Sequence, residues 1–216
     1  TELLYSNEIG ADVAEMGFNL MVTEGAKHVL GWKSPNYMYA NNINPKLRLL
    51  LRNYRLSDDI SLRFASDCLT TDNYVERLNE IKDGEVVNVC VDYDNFGYRY
   101  DDSTGILNFM RYLPEAIFNN TDFEFAKPIE MLDKLQTMSM FDAPIPLSCM
   151  DEERDLSAWM GNVLQDDALE TLYSFANKVK RNKEEDVIRD WNALQDANHF
   201  YSLCTKYSNV SPYDYY

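Results

Sequence analysis

The chain has 216 residues, 45% hydrophobic and 13% aromatic, enough apolar material for one well-packed core or for a domain with a smaller appendage. Its 36 acidic and 20 basic side chains leave a formal net charge of −16, a field that repels phosphate backbones and anionic lipid and argues against nucleic acid and membrane surfaces as partners. No apolar run approaches the roughly 18 residues of a bilayer span, and the only two histidines, His28 and His199, are too far apart for a His-x-x-x-His or His-Glu-x-x-His zinc site.

Taken in order, Thr1 to Tyr5 reads as a short strand, and the chain thus opens inside what looks like a structured segment. Ser6 caps a predicted helix to Met16, with Ile9, Val13 and Met16 at core spacing. After Gly17, Phe18 to Thr23 is predicted as the next strand. Glu24 and Gly25 follow it, and a polar loop carries His28, Trp32 and Tyr37. A tryptophan there is either a packed loop residue or a platform for the apolar face of a sugar ring. Leu47 to Leu51 is a third strand; Arg52 and Arg55 beyond it are placed to pair with carboxylates, and Ser57 is predicted to cap a helix beginning with Asp58 and Asp59.

After Thr70-Thr71-Asp72 a helix to Ile81 leads to the apolar, β-branched run Glu85 to Val91, which the pattern predicts as a strand buried on both faces. Asp92 and Asp94 arrive where that strand should end, and Gly97 permits a turn. Such carboxylates either open a loop or sit at the strand mouth where parallel α/β folds place their chemistry. Ser103 to Gly105 open another helix, Pro114 begins a second helical segment, Phe123 to Ala126 reads as a last strand, and Pro128 starts a helix to Leu135. Alternation of this kind predicts a parallel sheet with crossover helices. Residues 138–150 read as a proline-containing linker, and 151–216 as helical, carried by Leu156, Trp159, Val163, Leu164, Leu169, Leu172 and Phe175. Cys68, Cys90, Cys149 and Cys204 are scattered without a Cys-x-x-Cys pair, which suits thiols of a reducing compartment and a cytoplasmic location.

Five stretches in this order resemble the α-amylase branch of glycoside hydrolase family 57: TELLY (1–5), TEGAKHVLGWKSPNY (23–37), LLLRNYRLSDD (49–59), VDYDNFG (91–97) and ERDLSAWMGN (153–162). The resemblance implies part of an incomplete seven-stranded β/α barrel over residues 1–137, with the helical region 151–216 packing on it. It also implies retaining cleavage of α-1,4-glucosidic bonds in α-glucans, without cofactor or metal. Carried over by motif, Glu2 is the nucleophile and Asp92 the general acid/base. One carboxylate attacks the anomeric carbon; the other protonates the departing oxygen and then activates water. Candidate sugar-binding groups are His28, Trp32, Arg55, Asp58, Tyr93 and Asp94, with Trp159 and Asn162 from the helical region. The chain departs from the family pattern at Asp94, where Glu is usual, and at Tyr98-Arg99, where Glu-His follows the glycine. The barrel's opening strands and the family's His-Gln-Pro motif are expected from a preceding segment, in the same or a partner chain. A non-catalytic glucan-binding homologue and a 4-α-glucanotransferase are the alternatives.

Overall fold

The computed structural model describes residues 2–150, 152–206 and 211–215. Two compact units follow one another, residues 1–149 and 150–216.

The first unit is built on a four-stranded mixed sheet in the order β1 (Leu20–Glu24), β3 (Arg48–Arg52), β2 (Met38–Asn41), β4 (Thr137–Phe141). β1 and β3 are parallel, in register from Leu20↔Arg48 to Glu24↔Arg52. Side chains alternate across a strand, so β3 meets two cores. Leu49 and Leu51 join Tyr5, Tyr39, Leu47, Phe141 and Leu147 on one face, while Leu50 joins Met38 and Met131 on the other. Burial on both faces is the α/β pattern. A third core forms among α3 (Tyr54–Ser61), α4 (Thr71–Asn79) and α5 (Ile106–Asn120), centred on Phe64, Tyr74 and Phe109.

α1 (Asn7–Glu15) begins where the sequence predicts, with the Ile9 N–H donating to Ser6 Oγ at 3.2 Å. It packs so closely that a Cβ on Gly10 would run into the Asn41 amide and the Tyr5 ring. Asn41 Nδ2 in turn donates to the Tyr5 hydroxyl at 2.8 Å.

Several expectations are corrected. The sheet is mixed, because β2 and β3 form a hairpin: Asn41 Oδ1 accepts from the N–H groups of Ile43 and Asn44, and the chain turns back without a helix. β2 was not foreseen, and β4 occupies the start of the stretch predicted as linker. Its exposed positions are the apolar ones, Met138 and Met140, so the alternation that marks a strand is inverted there. Among the described residues the opening segment makes only an isolated antiparallel bridge, Tyr5 with Leu147. Glu85 to Val91 is no regular strand: it bridges β3 only at Asn88, Val87 and Val91 face the helical core, and Val89 is 39% exposed. Its valines still divide between two cores, Val86 against Met38, Leu50 and Met131 and Val87 and Val91 against the helices, but without ladder hydrogen bonds. Phe123 to Ala126 is irregular, since Phe123 packs on the helical core while Phe125 is exposed. Pro114 lies inside α5 and does not restart it, α3 starts at Tyr54, capped by Asn53 in place of Ser57, and the helix predicted from Pro128 to Leu135 is a 3-10 turn over Pro128–Glu130 followed by α6 (Met131–Lys134).

The second unit is helical, from α7 (Ser157–Met160) and α8 (Val163–Ser174) through α9 (Ala176–Arg181), α10 (Glu185–Leu194), α11 (Ala197–Ser202) and α12 (Pro212–Tyr215). Its hub is the fully buried Gln165, whose Nε2 donates to the carbonyls of Ala158 and Phe200 while its Oε1 accepts from the Gly161 N–H. No helix among the described residues is long and apolar enough to cross a membrane.

Three buried phenols set a limit at high pH. Burial pushes Tyr5 up to about 12 despite the opposing hydrogen bond from Asn41, pushes Tyr39 up to about 12, and raises Tyr74 as well. The native state therefore holds these protons after the unfolded chain has released them. Their contribution to stability is intact below pH 10, the ordinary tyrosine value, and declines as pH rises from there through the folded values, by at most about 1.4 kcal/mol per pH unit for each group. Urea unfolding followed between pH 9 and 12 should show this fall, and Tyr39→Phe should reduce its slope; an unchanged slope would contradict the assignment.

Candidate active site

The C-terminal ends of β1 and β3 carry Glu24 and Arg52 side by side, and both side chains are buried. Arg52 Nη1 donates to Glu24 Oε2 at 3.0 Å, and Nη2 to Asp58 Oδ1 at 2.8 Å. Asp58 reaches this point because α3 starts directly after β3: Asn53 Oδ1 accepts from the Leu56 N–H and fixes the first turn. Gly25 is required where the chain passes Arg52, since a Cβ there would collide with the Arg52 carbonyl. Burial alone would lower the Arg52 guanidinium; the charges of Glu24 and Asp58 outweigh it and hold the group above its ordinary value. Arg52 is thus a permanent cation at the sheet's mouth.

The segments that carry the two candidate catalytic residues are each bonded to the end of one of these strands. On one side Arg52 Nε donates to the Cys90 carbonyl at 2.9 Å, and the Cys90 N–H donates to Ser57 Oγ at 3.1 Å. Asp92 follows two positions later. Its carbonyl accepts from Asn95 through both the backbone N–H and the buried amide Nδ2, while its side chain is exposed and makes no cap bond. A fixed backbone with an exposed carboxylate suits a group that must exchange protons. On the other side the Leu3 carbonyl accepts from Thr23 Oγ1, next to Glu24, and the Glu2 carbonyl accepts from the Cys149 N–H and Ser148 Oγ. Leu3 has φ 51°, in the left-handed region where a leucine is strained, and these bonds hold it beside Glu2.

The other sequence candidates fall in different places. Asp58 is part of the buried cluster. Tyr93 is 85% exposed, next to Asp92, with its ring edge-on to Phe96; Asp94 is exposed, and its carbonyl accepts from the Arg99 N–H. His28 is exposed on α2 (Lys27–Leu30). Trp32 and Arg55 line a separate cavity of about 660 Å³ that contains neither Glu2 nor Asp92. In the second unit Trp159 is half-buried on α7, and the Asn162 amide is engaged at both ends, capping α8 and donating to the Leu203 carbonyl. Sequence reasoning expected Arg52 to pair with carboxylates but did not name Glu24 as its partner, and it missed Asn95. The available signal was a charged residue closing the apolar run Leu49 to Leu51.

The sequence profile described as glycosyl hydrolase family 57 matches residues 1–146. The chain belongs to this family. It is also 36% identical over 232 aligned residues to a protein of Methanocaldococcus jannaschii named "Putative alpha-amylase", an alignment covering 100% of this chain and 49% of that protein. The chain therefore spans about half the length of this family 57 relative.

Proposed function

We propose that this chain carries the catalytic carboxylates of a retaining glycoside hydrolase acting on α-1,4-linked glucans, with Glu2 as nucleophile and Asp92 as general acid/base. The observation that carries this is that the neighbours of Asp92 and Glu2 are bonded to the C-terminal ends of two adjacent parallel strands, Cys90 to Arg52 of β3 and Leu3 to Thr23 of β1. Family membership supports glycosidic chemistry, and the name of the archaeal relative supports an α-glucan as substrate. In this reading β1 and β3 belong to an incomplete seven-stranded barrel, whose remaining strands come from elsewhere in the same or a partner chain.

Glu2 attacks the anomeric carbon while Asp92 delivers a proton to the leaving oxygen; Asp92 then takes a proton from water, which releases the sugar with its configuration kept. This requires the two carboxyl groups to stand about 5–5.5 Å apart. Arg52 positions Asp92 through the Cys90 carbonyl and does not touch the sugar. Exposed Tyr93 next to Asp92 is the aromatic face for a pyranose ring.

The test is maltooligosaccharide cleavage by the full-length protein, with the product anomer followed by proton NMR. The α-anomer should form first and mutarotate afterwards; initial β-anomer would refute retention. A non-catalytic glucan-binding role is the second reading, favoured by Tyr98, 88% exposed, and Arg99 where the family has Glu and His. Tight maltooligosaccharide binding without turnover would establish it, and the appearance of longer oligosaccharides would identify a glucanotransferase instead.

A further inference from the structure

The 660 Å³ cavity lined by Trp32 and Arg55 has a charge opposite to that of the chain. Lys27, Lys33, Arg55 and Lys82 line it, together with Arg63 and Arg77; its acids are Asp59, Glu80 and Asp83. Six cations thus face three carboxylates, in a sequence that elsewhere has acids in large excess. Arg63 and Arg77 are satisfied, because both bond the largely buried Asp59 at 2.7 and 2.8 Å. The other four are different. Among the described residues Lys82 bonds the Asn79 carbonyl, Lys33 bonds Ser139 Oγ and the Met140 carbonyl, Arg55 lies over the Tyr54 ring at 5.9 Å, and none of the four forms an ion pair with a carboxylate.

Lys33 and Lys82 thus bond neutral groups and Lys27 and Arg55 are exposed, so the charge of four of the six lining cations is not cancelled by carboxylates among the described residues. The chain's overall field opposes an arriving anion, but that field is screened beyond about 8–10 Å at physiological salt, so the local cluster decides what enters. Several cations including an arginine, whose planar fork matches tetrahedral oxyanions, suit a phosphoryl dianion. The volume leaves room for more than the anion, within the range of small-molecule sites. Trp32, 88% exposed among the same lining residues, offers a face for a sugar ring.

We propose that this cavity binds a phosphoryl group, presented by a phosphorylated sugar whose ring lies against Trp32. The inference is independent of Glu2 and Asp92, which lie outside the cavity.

Isothermal titration of the full-length protein with glucose 6-phosphate, inorganic phosphate and glucose tests it. Glucose 6-phosphate should bind and glucose should not, with affinity falling as salt is raised. Lys27 and Arg55 are exposed, so Lys27→Gln/Arg55→Gln should fold and should weaken binding by about tenfold or more. Trp32→Ala should weaken the sugar phosphate and leave inorganic phosphate unchanged. Equal affinity for both phosphates would support the phosphoryl site and name the free anion as its source. Absence of binding by either, or binding insensitive to the double substitution, would overturn the proposal.

Discussion

Asp92→Asn is expected to lower turnover of maltooligosaccharides by about 10²–10⁴-fold while leaving the unfolding transition in place. The loss follows from the chemistry: an alkoxide of the sugar leaves poorly unless a proton arrives with it, and the amide of asparagine cannot supply one. Stability should survive because the Asp92 side chain is exposed and caps nothing; its backbone, not its carboxylate, is held by Asn95 and reached from Arg52 through Cys90. An activated aryl maltoside, whose leaving group needs no proton, should lose far less in the first step, and added azide, which needs no general base, should restore turnover in the second. Glu2→Gln should show neither effect, since it removes the attacking group. Wild-type rates from Asp92→Asn in the full-length protein would end the assignment.

Arg52→Met is expected to destabilise the fold by about 3–5 kcal/mol, read from urea unfolding. The methionine fills part of the space, but the buried carboxylates Glu24 and Asp58 would then face each other without the guanidinium that bonds both. The Cys90 carbonyl would lose its donor as well. Adding Glu24→Gln and Asp58→Asn to Arg52→Met should recover part of the loss, because neutral amides cost less to bury than charges. A loss below about 1 kcal/mol, as for an exposed pair, would mean that water reaches the cluster. Activity should fall in Arg52→Met even at temperatures where it remains folded, through the displaced Asp92 loop.

The motifs around Glu2 and Asp92 were legible because they are runs of specific residues, and the cap of α1 because Ser6 acts within its own turn. That Arg52 would seek carboxylates was legible too, from a charge closing an apolar run. Which carboxylates it meets was not. Glu24 is 28 positions away, brought alongside only by the parallel register of β1 and β3. Ser57 carried every local mark of a helix cap, yet Asn53 took that role and Ser57 turned its hydroxyl to the Cys90 N–H, a partner known only once the two segments lie together.

The amino-acid order by itself determined the local signals: helix starts, the apolar strands β1 and β3, the acidic character of the chain, and the family to which its motifs belong. Tertiary structure alone decided which runs became strands. Glu85 to Val91 has the composition of a buried strand but among the described residues meets β3 only at the Arg52–Asn88 bridge, whereas β4 has a poor strand pattern and forms because β2 offers it open hydrogen-bonding groups. It also decided that Trp32 and Arg55, read as part of a sugar-binding cleft, share a cationic cavity of their own. Hydrogen bonds between strands and charges across a cavity depend on residues distant in sequence, and no local pattern encodes that distance.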